Sequence, residues 1–303
     1  MKKILITGYK GQIGTLLIKK LLKEGFEVIG IDIQEIDKEL LKKYKGKLEL
    51  YKCDILNENH LKRIDLRDVI VFIPLAAIIS NNKNIIATQK ITECNVFTFT
   101  NIIPLIKGLR QIIFPSSMMV YGEPIKSPID ESHPTNPNTI YGMAKLYAEN
   151  LLILHSSYHN ICSSILRIAA VYGPGTYSGD RCHSSIPNFI NAVKNKIDIN
   201  LFGEIYNKRD YVHATDVVNA IYLSIKHPFD GIINIGSGKG ITTNDLANLV
   251  VKISKSNSTI LKRDLIISNK DYTLDISKAK ELIGYKPKVS IEKGIKDEMQ
   301  SMR

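Results

Sequence analysis

One stretch near the start of the chain constrains its fold more than any other. Thr7-Gly8-Tyr9-Lys10-Gly11-Gln12-Ile13-Gly14 joins a β-like apolar run over Lys3–Thr7 to an amphipathic helical pattern over Gln12–Lys23. Between a strand and a helix the glycines do different things. Gly8 permits the tight turn, Gly11 lets a pyrophosphate approach the backbone, and Gly14 lets the helix pack on the strand. The helix start then faces the anion with its unpaired N–H groups. Gly8, Gly11, Gln12, Ile13 and Gly14 are therefore candidate dinucleotide-binding residues. Asp32 ends the next apolar run, 18 residues beyond Gly14, with Ile33 beside it. A carboxylate there accepts hydrogen bonds from a ribose 2′-OH and repels a 2′-phosphate, which favours NAD(H) over NADP(H).

The remaining pattern predicts the scaffold this loop needs. Runs at 27–31, 48–53 and 69–73 alternate with helical patterns, a short one near 58–64 and a long one over 84–107. A strand at 111–115, a helix over 139–158 and a strand at Cys162–Ile168 follow. Strand and helix in turn imply an α/β fold, a Rossmann-type doubly wound parallel sheet. Past Tyr172 the pattern loosens: GPGTYSGD at 173–180, a helix near 186–194, then an irregular stretch to Asp210. Helices over 216–224, 244–254 and 277–282 and a strand at 232–235 complete it. The expected division is a NAD-binding domain over residues 1–166, with contributions from about 205–240, and a smaller, interleaved C-terminal α/β substrate-binding region over 167–303.

The chemistry is predicted from Tyr141 and Lys145. Four residues apart in a helical pattern, they share one face. An ammonium beside a phenol, with a cationic nicotinamide ring nearby, favours phenolate, making Tyr141 a base for a secondary alcohol whose hydride passes to nicotinamide; Lys145 also holds the nicotinamide ribose. Ser117, after the strand at 111–115, brings a hydroxyl to the same substrate oxygen. Met118 stands next to it as a substrate contact.

The spacing TGxxGxxG resembles the short-chain dehydrogenase/reductase superfamily. SSMMVYG at 116–122, YxxxK at 141–145, LRIAAVYGPG at 166–175 and RDYVHATDV at 209–217 resemble its extended branch, the NAD-dependent epimerase/dehydratase family acting on nucleotide sugars. INIGSGKGIT at 232–242 and DISKAKELIGYKP at 275–287 resemble that branch's C-terminal landmarks. The resemblance spans essentially the whole chain. It implies cofactor contacts from Asp54 and Ile55, from Leu75, Ala76 and Ala77, from Asn95 in the fourth helix, and from Ile168. It implies that Arg209 binds the substrate diphosphate, a guanidinium suiting phosphate bidentately; an ion pair with Asp210 or Asp216 is the alternative. Asp216 is expected to orient the Arg-Asp loop and His213 to be a packing residue. A homodimer formed through the helices over 84–107 and 139–158 is also implied.

Departures narrow the subclass. Dehydratases of the family carry Asp-Glu after the catalytic hydroxyl, whereas this chain has Met118-Met119, which disfavours water elimination. Ala170 stands where 4-epimerases commonly carry Asn, Pro74 replaces a His, and the late Arg-x-Gly-Asp clamp aligns with Leu265 to Ser268. Epimerisation, expected at C4, and sugar dehydrogenation or 4-keto reduction share the first step; a non-catalytic NAD-binding protein is the third reading.

Composition removes other partners. The 303 residues carry 41 Lys+Arg against 30 Asp+Glu, a formal charge of +11, but the excess is scattered Lys with no Arg-rich run or aromatic RNA-binding strand, so nucleic acid is not expected. Cys53, Cys94, Cys162 and Cys182 have neither zinc nor disulfide-lattice spacing, so no metal is expected and the thiols are read as free. The longest apolar run, residues 69–79, is broken by Pro74 and falls well short of the roughly 20 residues of a membrane span. The expected location is the cytoplasm, with no membrane partner.

Overall fold

A computed structural model of the chain describes residues 3–79, 85–175 and 185–302. The first half runs β1 (Lys3–Thr7), α1 (Gln12–Lys23), β2 (Glu27–Asp32), α2 (Lys38–Lys43), β3 (Leu48–Lys52), α3 (Glu58–Leu61), β4 (Val69–Pro74), α4 (Ile85–Ile102), β5 (Gln111–Ser117), α5 (Ile140–His159) and β6 (Cys162–Ile168). The second runs β7 (Ala170–Tyr172), α6 (Ser185–Lys194), β8 (Ile199–Gly203), β9 (Lys208–His213), α7 (Ala214–Lys226), β10 (Gly231–Ile235), β11 (Gly240–Thr242), α8 (Thr243–Ser254), β12 (Ile260–Leu265), β13 (Asp271–Tyr272), α9 (Ser277–Ile283) and α10 (Ile291–Ser301).

The chain divides into two compact units. The first comprises 1–122, 135–167 and 218–233; the second comprises 123–134, 168–217 and 234–303. The first unit is built on a seven-stranded sheet of order β10-β6-β5-β4-β1-β2-β3. Its β1–β2, β1–β4, β2–β3 and β4–β5 pairs are parallel. Continuously apolar strands such as Ile4 to Ile6 and Val71 to Ile73 are buried because helices cover both faces. Leu5, Ile29, Phe72, Phe99, Ile112 and Phe114 lie in its core, with the Phe99 and Phe114 rings edge-to-face at 5.6 Å. The strand order reverses between β1 and β4, and at such a switch point the C-terminal strand ends open a crevice.

In the second unit β9 pairs with β7, β11 and β13, while β8 and β12 form a separate parallel pair. The stretch expected to be irregular up to Asp210 therefore contains two strands, β8 and β9. Of the 205–240 stretch expected to join the nucleotide-binding part, only 218–233 does so, because β9 is consumed by the second unit's sheet. Tyr172, Phe189, Leu201, Tyr211, Leu246 and Ile295 pack in this unit's core.

Candidate active site

The glycine loop is shaped by close backbone approach. Gly8 has φ +71°, and a Cβ there would lie 2.6 Å from Ala76 N; at Gly14 it would lie 2.4 Å from Gly8 O. Gly8 N donates to Ile31 O at 2.8 Å and Leu75 N to Thr7 O at 3.1 Å, so the ends of β1, β2 and β4 meet here. A Cβ on Gly11 would meet only Gly8 O, at 3.3 Å, leaving its outer side open. Gly11 is the N-cap of α1 with no side-chain cap, and the first turn carries no acidic residue, so the helix start suits a pyrophosphate. Asp32 closes the cradle: Oδ2 accepts from Lys10 N and Oδ1 from Gln34 N, each at 3.0 Å. These residues fit a dinucleotide.

The flanking predicted residues lie at neighbouring strand ends. Ile33 is exposed at the end of β2, and Asp54 Oδ1 caps the next turn by accepting from Leu56 N at 3.0 Å. Ile55 is buried. Ala76 N donates to Thr7 Oγ1 at 3.4 Å, and Ala77 follows it in the loop after β4. Asn95 serves the scaffold: its Nδ2 donates to Ile91 O at 2.8 Å and to Ile78 O at 3.0 Å, fastening α4 to that loop.

Ser117, Tyr141 and Lys145 converge on the junction of β5 and α5. Ser117 ends β5, and its Oγ accepts from Met119 N at 3.2 Å. Lys145 Nζ donates to Pro115 O at 2.8 Å, 4.7 Å from the Phe114 ring centroid and 5.8 Å from that of Tyr141. Thr139 caps α5 by accepting from Gly142 N, which fixes where Tyr141 begins the helix. Burial dominates the electrostatics. It lowers Lys145 to about 8, against opposing effects of Cys94 and Glu149, and it raises the Tyr141 phenol. In the chain without cofactor, burial thus works against the phenolate that the Lys145 ammonium and a cationic nicotinamide are expected to favour.

Ile168 and Arg209 belong to the second unit. Ile168 is buried at the end of β6. Arg209 is exposed on β9 with its guanidinium 5.5 Å from the Tyr272 ring, its register neighbour on β13. The two carboxylates considered as its partners are engaged elsewhere. Buried Asp210 accepts from Ser237 N at 2.8 Å, Ser237 Oγ at 2.6 Å and Gly238 N at 3.0 Å. Asp216 accepts from Lys288 N and Val289 N, both at 3.0 Å, so it anchors the C-terminal segment, not the Arg-Asp loop. His213 packs against the Tyr172 ring at 5.3 Å. Cys53, Cys94 and Cys162 are free thiols; Cys182 and much of the GPGTYSGD stretch lie outside the described residues.

Three residues at this site escaped sequence reasoning. Glu149 and Arg167 form a buried ion pair, and Ser116 donates to Glu149. The signal was available in part, since Glu149 continues the four-residue spacing of Tyr141 and Lys145. Among the described residues no cluster of three or more His, Cys, Asp or Glu could hold a metal, and no helix is long and apolar enough to cross a membrane.

Residues 4–236 match the family described as NAD dependent epimerase/dehydratase. A putative UDP-glucose 4-epimerase of Methanocaldococcus jannaschii is 31% identical over 299 residues, covering 97% of this chain and 96% of that protein. The dTDP-4-dehydro-6-deoxyglucose reductase of Escherichia coli is 30% identical over 312 residues, covering 99% and 97%. Among solved structures, UDP-glucose 4-epimerase of Thermotoga maritima with UDP-glucose superposes with a TM-score of 0.89 at 28% identity, covering 99% of this chain and 98% of that one.

Proposed function

The chain belongs to the NAD-dependent epimerase/dehydratase family, and from that premise we propose that it is a nucleotide-sugar 4-epimerase with Tyr141, Lys145 and Ser117 as its catalytic residues. The observation that carries the reading is the joining of α5 to the end of β5: Lys145 Nζ is bonded to Pro115 O, two residues before Ser117 and one helical turn from Tyr141. Bound NAD, held at the Gly8, Gly11, Gly14 and Asp32 cradle, would supply reversible hydride chemistry at the sugar carbon. Tyr141 Oη takes the proton of the sugar hydroxyl, and Ser117 Oγ hydrogen-bonds the same oxygen as it becomes a carbonyl. Lys145 supplies the positive charge that the Tyr141 phenolate needs and holds the nicotinamide ribose. Asp32, Gly8, Gly11 and Gly14 bind the rest of the dinucleotide, and Arg209, beside the Tyr272 ring, binds the sugar's diphosphate.

Met118 and Met119 speak against a 4,6-dehydratase, because neither can supply acid or base for water elimination. The similarity to a 4-keto reductase favours one second reading, in which the ketone is the substrate and no epimer forms. Incubation with UDP-, GDP-, dTDP- and CDP-sugars, followed by NMR for the epimer and by absorbance at the NADH band, distinguishes these. A new epimer without net NADH supports the proposal. NADH consumption coupled to a 4-keto sugar selects the reductase, and no turnover of any sugar overturns both. The proposal extends to a cytoplasmic homodimer packed through α4 and α5.

A further inference from the structure

Helix α5 carries a second buried ionisable side chain, after Lys145, on the face that holds Tyr141 and Lys145. Glu149 follows them by eight and four residues and is 1% exposed. Arg167 Nη2 donates to its Oε2 at 2.7 Å, Arg167 Nε reaches both oxygens at 3.2 Å, and Ser116 Oγ donates to Oε1. The Arg167 guanidinium, itself buried on β6, lies 4.7 Å from the Tyr121 ring centroid. The end of β5 is thereby fastened to successive turns of α5. Pro115 O accepts from Lys145 Nζ, Ser116 Oγ donates to Glu149, and the Met119 carbonyl lies so close to Gly142 that a Cβ there would come within 2.6 Å of it. Ser117 sits between these ties.

A buried ion pair is a poor device for stability alone, since apolar side chains of similar volume usually do as well or better. It does offer fixed geometry and a charge at a chosen place. We infer that Glu149 and Arg167 are positioning residues for the reaction proposed above, holding the Tyr141–Lys145 face of α5 in register with Ser117 and setting the charge around the Lys145 ammonium. The inference rests on that reading of the site. The amine is faced by the Phe114 ring and Pro115 O from β5, by Cys94 from α4, and by Tyr141 and Glu149 from its own helix, with Arg167 of β6 behind Glu149. Burial pulls its pKa down and Glu149 pulls it up. Neutralising Glu149 removes the upward pull and leaves Arg167 as an uncompensated cation, so both changes make Lys145 lose its proton at lower pH.

The test uses the full-length chain with NAD and the nucleotide sugar turned over in the panel above. Glu149→Gln keeps the shape and the Ser116 contact. It is expected to lower kcat by about tenfold or more, with KM within about twofold and NAD affinity retained. The alkaline limb of its kcat profile moves to lower pH by about half a unit or more. Glu149→Asp retains the charge and is expected to lower kcat while leaving that limb in place. Should the Gln variant not fold, the double variant Glu149→Leu with Arg167→Met leaves no unpaired charge and is expected to fold and still lose about tenfold in kcat. A Gln variant that melts earlier but keeps wild-type kcat, KM and pH limb overturns the inference, as does wild-type kcat in the folded double variant. Tyr141→Phe is assayed alongside. If it stays active, or if no sugar of the panel reacts, the functional reading fails and this inference with it. If it is inactive while Glu149→Gln behaves as wild type, only the inference fails.

Discussion

At the Lys145 amine two demands collide. The side chain is 3% exposed, and burial lowers its pKa from 10.5 to about 8, yet the proposed chemistry needs its charge beside Tyr141. The sign of the effect on stability follows from linkage. Below pH 8 folded and unfolded chains both hold the proton, and the folded state bears the full cost of keeping the charge from water, about 3 kcal/mol for such a shift. Between 8 and 10.5 the unfolded chain binds the extra proton, so stability rises with pH. Lys145→Met is therefore expected to abolish turnover while raising Tm at pH 7, the gain being offset in part by loss of the bond to Pro115 O. Calorimetry of both proteins at pH 7 and pH 10 checks this: a gain that does not shrink at the higher pH contradicts the assignment. Wild-type kcat is expected to fall as pH rises through about 8. Arg209 is the second residue whose role can be isolated, because it is exposed, with its guanidinium 5.5 Å from the Tyr272 ring centroid. Arg209→Ala is expected to raise KM by an amount equivalent to about 1.5–3 kcal/mol for a nucleotide sugar, with kcat little changed. An equal loss with a non-phosphorylated sugar refutes diphosphate recognition.

At the scale of elements the β1-loop-α1 unit has least room for change. A methyl group on Gly14 would lie 2.4 Å from Gly8 O and 2.7 Å from Tyr9 Cα, and backbone cannot yield as a flexible side chain would. Gly14→Ala is expected to destabilise the fold by about 1–3 kcal/mol and to weaken NAD binding by about tenfold or more, measured by denaturant titration and calorimetry. Unchanged NAD affinity would remove the loop from the cofactor site. This unit was legible in the sequence because turn glycines, apolar strand and amphipathic helix all agree locally. Elements whose partners are distant were not. β7, β11 and β13 have three, three and two residues, and their register exists only because β9 pairs with each of them. α2 buries no residue, so its Asp37 N-cap was the only local sign of it. α10 was obscured by Gly294 in its interior, explained by the Tyr172 ring 2.4 Å from where its Cβ would be, and by Glu298, which is buried to accept from Gly173 N at 3.1 Å. The Glu149–Arg167 pair was hidden for the same reason: α5 and β6 each read as ordinary elements, and only their packing joins the charges.

At the scale of the molecule, the division into units follows contacts that no local pattern encodes. The stretch 123–134 leaves the first unit for the second, where Ile129 N and O bond Thr273 O and Asp275 N, both at 2.8 Å. The net charge of +11 said less than the placement of one arginine. What the whole surface does disclose is an apolar stripe on α5. Met143, Tyr147, Leu154 and Tyr158 share one face at helical spacing and are each more than half exposed; Ile86 and Phe97 are exposed on α4, which packs along α5. A stripe of this size on a single helix pair is unfavourable in water unless it is covered. A twofold axis covers it most simply, because an isologous contact lays the same residues of two copies against each other. Light scattering of the wild-type chain is then expected to give about twice 34.1 kDa. Tyr147→Glu with Leu154→Glu places like charges together across the axis and is expected to give the monomer mass. Lys145 and Glu149 lie buried on the opposite side of α5, so NAD binding is expected to survive the change. A wild-type monomer, or a dimer that tolerates both glutamates, would require another occupant for the stripe.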